Sequence, residues 1–203
     1  MMIRPDEVIE FFDRLAPGWD AGLVRNETVI GKILDNAEVT EGKDVLDVGC
    51  GTGNLIPDYL KRGAASVTAI DISPRMAETA KRKFDLPNVT VLCGSAEKME
   101  TDRRFDCIVV YNAFPHFPDQ EGLIRHMASL LKPGGTLTVA HGMSREKINA
   151  HHQETAKNVS RGLMPVDELA KMFEKYTEVK VIVSDDQMYQ VTGKRKEECS
   201  TPR

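Results

Sequence analysis

The chain has 203 residues, 41% apolar and 29% charged, with a net charge of −4 and a pI near 5.8; this suits one well-filled soluble domain and is short for two. Lysine and arginine are scattered apart from Lys194-Arg195-Lys196, so the basic stripe that grips a phosphate backbone is missing, and DNA and RNA are disfavoured as substrates. No apolar run approaches the ~20 residues that span a bilayer, and the opening residues lack the apolar stretch of a signal peptide, so a cytoplasmic protein with no membrane partner is expected.

The four cysteines, Cys50, Cys93, Cys107 and Cys199, show no CxxC spacing. Cys93 and Cys107 fall in apolar, strand-like runs and read as small hydrophobes, in keeping with a reducing compartment.

In chain order, Asp6 is expected to cap a helix that turns Val8, Phe11, Phe12 and Leu15 to one side, ending at Pro17-Gly18. A second helix over Thr28–Ala37 places Val29, Ile30, Ile33, Leu34 and Ala37 on one face. Strand-length apolar runs follow at Asp44–Val48, Val67–Ile70, Val89–Leu92, Phe105–Val110 and Thr136–Ala140. Helical patterns separate them at Asn54–Arg62, Pro74–Phe84 and Glu121–Leu131. Near-continuous apolar strands alternating with helices predict a doubly wound parallel sheet covered on both faces. A helix over Val166–Tyr176 precedes Val179–Val183 and Met188–Val191, two short strands expected to close one sheet edge as an antiparallel pair. From Gly193 the chain reads as a solvated tail.

Asp47-Val48-Gly49-Cys50-Gly51-Thr52-Gly53 carries the most information. Glycines at alternate positions between a strand and a helix allow tight backbone and close ligand approach, and the helix start offers free N–H groups. Asp71 ends the next strand, near the ~20-residue offset at which a strand-end acid meets a ribose diol. A plain tight turn is the competing view. The GxGxG spacing departs from the dinucleotide fingerprint GxGxxG.

These segments resemble class I S-adenosylmethionine-dependent methyltransferases, especially the small-molecule branch similar to ubiquinone/menaquinone methyltransferases. Leu46–Gly53 looks like the family's first motif and Ala69–Ser73 like its second. Phe105–Val109 is similar to its fourth strand, and Leu130–Leu137 to the turn into its fifth. The resemblance implies a Rossmann-like, seven-stranded α/β sheet, mostly parallel with an antiparallel strand near the C-terminus. It implies S-adenosyl-L-methionine as cofactor and methyl transfer to a small-molecule acceptor by direct displacement. Gly49, Cys50, Gly51 and Gly53 would hold the methionine moiety and ribose, with Asp47 near the amino group. Asp71 would take the ribose hydroxyls and Ile72 pack on the adenine. Ser95, beside Ala96, stands where the family commonly has an acid facing the adenine amino group, and Asn112 would border the sulfonium. Trp19, within Phe11–Asp20, would lie over the cofactor or pack in the core. Residues 1–203 would form one methyltransferase domain, with 1–40 as a cofactor lid and 141–165 as an acceptor-pocket insertion.

For the chemistry, histidine titrates near neutral pH, and His116 after the fourth strand and His141 at the end of the fifth are the candidate bases; backbone bonding alone is the competing role for His116. His151 and His152 lie on a helix expected from Ser144, with His152 facing inward. A metal held by His116, His141 and His152 is a weak alternative, since the spacing matches no compact metal motif. His126 reads as a surface residue. Arg145 and Arg161 could grip an anionic acceptor, and Phe114, Phe117, Met143, Leu163 and Met164 suggest a partly apolar pocket. The loop lacks the Asn/Asp-Pro-Pro-aromatic run of amino-group methylases. A nicotinamide-dependent Rossmann oxidoreductase and a non-catalytic S-adenosylmethionine-binding protein stand as alternatives, and the protein is expected to be a monomer or homodimer.

Overall fold

The computed structural model describes residues 3–196, so Cys199 and the last seven residues lie outside the described residues. Seven strands form one sheet in the order β3-β2-β1-β4-β5-β7-β6. They are β1 (Asp44–Val48), β2 (Ser66–Asp71), β3 (Val89–Cys93), β4 (Phe105–Tyr111), β5 (Leu131–His141), β6 (Glu178–Ser184) and β7 (Tyr189–Lys194). The first five run parallel; β7 enters antiparallel between β5 and β6.

Period-two alternation sends Leu46, Val48, Ile108 and Val110 to one face, and Val45, Cys107 and Val109 to the other. On the first face pack α5 (Gln120–Ser129) and α7 (Val166–Glu174), through Leu123, Met127, Leu169 and Phe173. On the second pack α2 (Glu27–Asn36), α3 (Ile56–Lys61) and α4 (Pro74–Lys83), through Ile30, Leu34, Ile56, Tyr59 and Ala80. Each fully buried Leu or Ile in these layers contributes ~1.5–3 kcal/mol, which fixes the carboxyl ends of β1, β2, β4 and β5 where the site is built.

The remaining helices are α1 (Pro5–Leu15) and α6 (Arg145–Thr155), and α1 packs with the residues that follow α6. Ile3 and Val8 pack with Ala156 and Val159, joined by Phe11, Phe12 and Ile72.

Several boundaries differ from the sequence reading. Arg4, not Asp6, precedes α1; Asp6 sits in the first turn and pairs with Arg4. The helix expected over Glu121–Leu131 ends at Ser129, because Leu131 already pairs with Phe105 as the start of β5. Gly193 is not in a solvated tail but in β7, opposite Leu137 on one side and Val179 on the other. Cys93 is exposed at the end of edge strand β3, whereas Cys107 is buried as expected.

Candidate active site

The sheet order reverses between β1 and β4, and a crevice opens outside the carboxyl ends of the strands there, as open α/β sheets provide. Into it runs the glycine turn. Gly49 N–H and Cys50 N–H both donate to the Ile70 carbonyl, at 2.8 and 3.1 Å, which ties the turn to β2. Gly49 has φ +69°, and a Cβ there would stand 2.6 Å from Ala113 Cβ. At Gly53, φ +85°, a Cβ would meet the Phe84 ring at 2.7 Å. These two glycines therefore answer to protein packing rather than to ligand approach. Gly51 faces Trp19, with Nε1 3.8 Å from its Cβ position. The helix after the turn begins at Ile56 rather than at Asn54, so the turn's own backbone, not a helix start, borders the crevice.

Two carboxylates flank the turn. Asp71 accepts from Gly51 N–H at 2.7 Å and from Ser73 N–H at 2.9 Å. Burial raises its pKa, and these two bonds oppose the rise. Asp47 is 2% exposed. Burial pushes its carboxyl up to about 7, with the Tyr59 hydroxyl opposing and Asp71 adding to the rise. No Lys or Arg among the described residues pairs with it.

The crevice is a cavity of about 1190 Å³. Its wall includes Asp47, Gly49, Cys50, Gly51, Asp71, Ile72, Ser95, Ala96, Asn112 and Trp19, every expected cofactor-binding residue except Gly53. Gly53 stands behind the turn against Phe84.

Residues 45–135 match a family model described as "Methyltransferase domain". A ubiquinone biosynthesis O-methyltransferase of Coxiella burnetii is 33% identical over 143 residues, 66% of this chain and 61% of that protein. A malonyl-[acyl-carrier protein] O-methyltransferase of Acetivibrio thermocellus is 34% identical over 129 residues, 62% of this chain and 46% of that protein. The chain thus spans about six-tenths or less of the length of these curated relatives. A Haloferax volcanii methyltransferase solved in complex with the Trm112 activator superposes with a TM-score of 0.79 at 21% identity, over 92% of this chain and 98% of that one. Over residues 45–135 the chain is similar to the methyltransferase domain family, and its seven-stranded fold is that of the solved methyltransferase.

The N-terminal segment is strapped to the glycine turn and to β2. Asp13 accepts from Ser73 Oγ at 2.5 Å and from Arg75 N–H at 3.1 Å. Thr52 Oγ1 donates to Asp20 at 2.5 Å. Arg25 donates to the Asn54 carbonyl and pairs with Asp58 at 2.8 Å. Trp19 packs edge-on against Phe12, 5.8 Å between centroids, and its buried Nε1–H has no hydrogen-bond partner.

The other end of the cavity gathers His116, His141, His151 and His152. His116 and His152 rings lie 5.0 Å apart. His116 Nδ1 is 2.7 Å from the Val159 carbonyl, and burial lowers its pKa. His152 Nδ1 bonds Ser160 Oγ at 2.7 Å; burial and then His116 bring it to about 4. His141 is 1% exposed with neither ring nitrogen bonded, and burial, then His152 and His116, lower it to about 3. Among the described residues no three His, Cys, Asp or Glu side chains are grouped to hold a metal, so the three-histidine metal alternative is dropped.

Other expectations move. Arg145 is turned to the Leu163 carbonyl and Glu146, and neither it nor Arg161 lines the cavity. Phe117 and Met143 do, whereas Phe114, Leu163 and Met164 belong to the core beneath. His126 is half-buried and bonded to the Met99 carbonyl rather than free on the surface. Sequence reading passed over Arg25 and Lys147 at the cavity wall. Arg25 lies 33 residues from its partner Asp58, a separation that no local pattern announces.

Proposed function

We propose that the protein transfers a methyl group from S-adenosylmethionine to a small-molecule acceptor. One observation carries the reading: the cavity contains a buried carboxylate, Asp47, with no protein cation beside it. A charge buried unpaired is costly, and a ligand bearing an ammonium and a sulfonium offsets that cost. The anionic pyrophosphate of a nicotinamide dinucleotide would worsen it beside Asp47 and Asp71.

The remaining residues suit the same ligand. Each Asp71 oxygen takes one backbone N–H and keeps a lone pair for a ribose hydroxyl. Ile72, Ser95 and Ala96 would border the adenine, Asn112 the sulfonium, and Gly49–Gly51 the ribose and methionine moiety. The unpaired Trp19 N–H is a donor available to the ligand. Bound there, the cofactor supplies an electrophilic methyl carbon; the protein's part is to align the acceptor and exclude water.

In this reading residues 1–203 form one methyltransferase domain. The bonds from Asp13, Asp20 and Arg25 support residues 1–40 as a cover over the cofactor, and α6 with its flanks, residues 141–165, shapes the acceptor end. The protein would act in the cytoplasm as a monomer or homodimer with no nucleic-acid or membrane partner; scattered charge supports this, and no described helix is long and apolar enough to cross a membrane. Calorimetry with S-adenosylhomocysteine and with NADH tests the core of it. Binding of the first alone, weakened in Asp71→Asn, is expected; binding of NADH alone overturns the reading.

A further inference from the structure

The histidine end of the cavity divides into two chemically different groups. A carbonyl oxygen only accepts, so the 2.7 Å contact to Val159 puts the His116 proton on Nδ1 and leaves the lone pair on Nε2. The ring is held edge-on to Phe12 of α1, with centroids 5.0 Å apart, and beside His152 of α6. If Nε2 takes up a proton, the Nδ1–H···O=C bond becomes charge-assisted and holds the imidazolium in place. His141 has no such support. Its neutral ring offers one donor and one acceptor, both buried and unpaired, and an unmet buried polar group is unfavourable. A ligand group that both donates and accepts would satisfy them.

On the methyl-transfer reading above, we propose that the acceptor reacts through a hydroxyl or thiol whose proton passes to His116 Nε2, and that His141 anchors a second polar group of that acceptor. The acceptor O–H or S–H bond breaks with its proton going to Nε2. Its electron pair forms the bond to the methyl carbon, and the carbon–sulfur bond of the sulfonium breaks with its pair staying on sulfur. The products are the methylated acceptor, S-adenosylhomocysteine and a proton that His116 releases to solvent. Besides the groups at the glycine turn, the titratable side chains on the cavity wall include Arg14 of α1, Glu97, Tyr111, Asp186, and Lys147, His151 and His152 of α6. None of them is bonded to His116, so its protonation answers to burial and to the Val159 carbonyl.

The test begins with S-adenosylhomocysteine affinity, which judges the methyl-transfer reading by itself. Long-range nitrogen NMR on histidine-labelled protein saturated with that ligand then reads the rings directly. The expected result is His116 as the Nδ1–H tautomer and His141 neutral throughout the pH range where the protein stays folded. An Nε2–H tautomer at His116, or His141 protonating before His116, overturns the proposal. Turnover follows with phenol, catechol, benzenethiol and aniline as probes. Methylation at oxygen or sulfur is expected, with His116→Asn costing about 100-fold in kcat at neutral pH, a deficit that shrinks as pH ionises the probe. His141→Asn should raise KM several-fold and leave the pH profile unchanged. Methylation of aniline alone, no methylation of any hydroxyl or thiol, or a wild-type pH profile in a His116→Asn protein that still binds S-adenosylhomocysteine each overturns it.

Discussion

Asp71, at the tip of β2, accepts the N–H of Gly51, the middle glycine of the turn after β1, at 2.7 Å. The carboxylate thereby shapes the turn before any ligand arrives, with its second oxygen on Ser73 N–H. Asp71→Asn keeps the size and replaces one acceptor by a donor facing a backbone N–H. A weakening of S-adenosylhomocysteine binding by about 10–100-fold is expected from a lost charge-assisted bond of ~1.5–3 kcal/mol. Calorimetry on the folded variant checks it, and unchanged affinity would remove Asp71 from the site.

Asp47 is expected to make ligand affinity pH-dependent. Its folded pKa is raised to about 7, so the ligand-free protein loses stability as pH climbs from the normal carboxyl range toward 7 and the buried group ionises. The ammonium of the ligand pairs with the ionised form. Affinity for S-adenosylhomocysteine should therefore rise about tenfold per pH unit below 7 and level off above it. In Asp47→Asn the slope should flatten. Calorimetric titrations between pH 5.5 and 8 in about half-unit steps decide the matter.

Gly49 is held by Ala113. Gly49→Ala combines a positive φ with a 2.6 Å clash, so a stability loss of about 1–3 kcal/mol is expected. Adding Ala113→Gly removes the clash but not the backbone strain, and should restore part of that loss. Denaturant unfolding of both variants reads this out; no recovery would mean that strain alone sets the cost.

Arg25 joins the N-terminal segment to the turn and to α3. It donates to the Asn54 carbonyl and pairs with Asp58 from a largely covered position. Removing it in Arg25→Ala leaves the polar fastening of that segment to Asp13 and Asp20. Faster S-adenosylhomocysteine release, by about 3–10-fold, and earlier proteolytic nicking between α1 and α2 are expected, because local opening governs both. Stopped-flow dissociation following the fluorescence of Trp19, the sole tryptophan, measures the first.

Local pattern determined much of this protein. Apolar runs at Asp44–Val48 and Phe105–Val110 became β1 and β4 to within a residue, since burial on both sheet faces demands continuous apolar sequence. The same pattern placed Asp47 and Asp71 at neighbouring strand tips, and the shared cavity wall holds ten of the eleven expected cofactor contacts. What the pattern missed involves groups distant in the chain. The reason for a glycine at 53 is the ring of Phe84, and the reason Gly193 is a strand residue is the pairing of β7 with both β5 and β6. Arg145 faces Leu163 rather than a ligand because the chain folds back over α6.

The histidines mark the boundary most clearly. Sequence alone determined that His116 and His141 follow parallel strands and so reach the carboxyl edge of the sheet, because strand direction and length set where each strand ends. Only the tertiary structure decided that Val159, 43 residues beyond His116, accepts its Nδ1 proton while His141 is left without a partner. Proton placement depends on contacts of a few ångströms, and the packing of α6 and its return loop brings those contacts together.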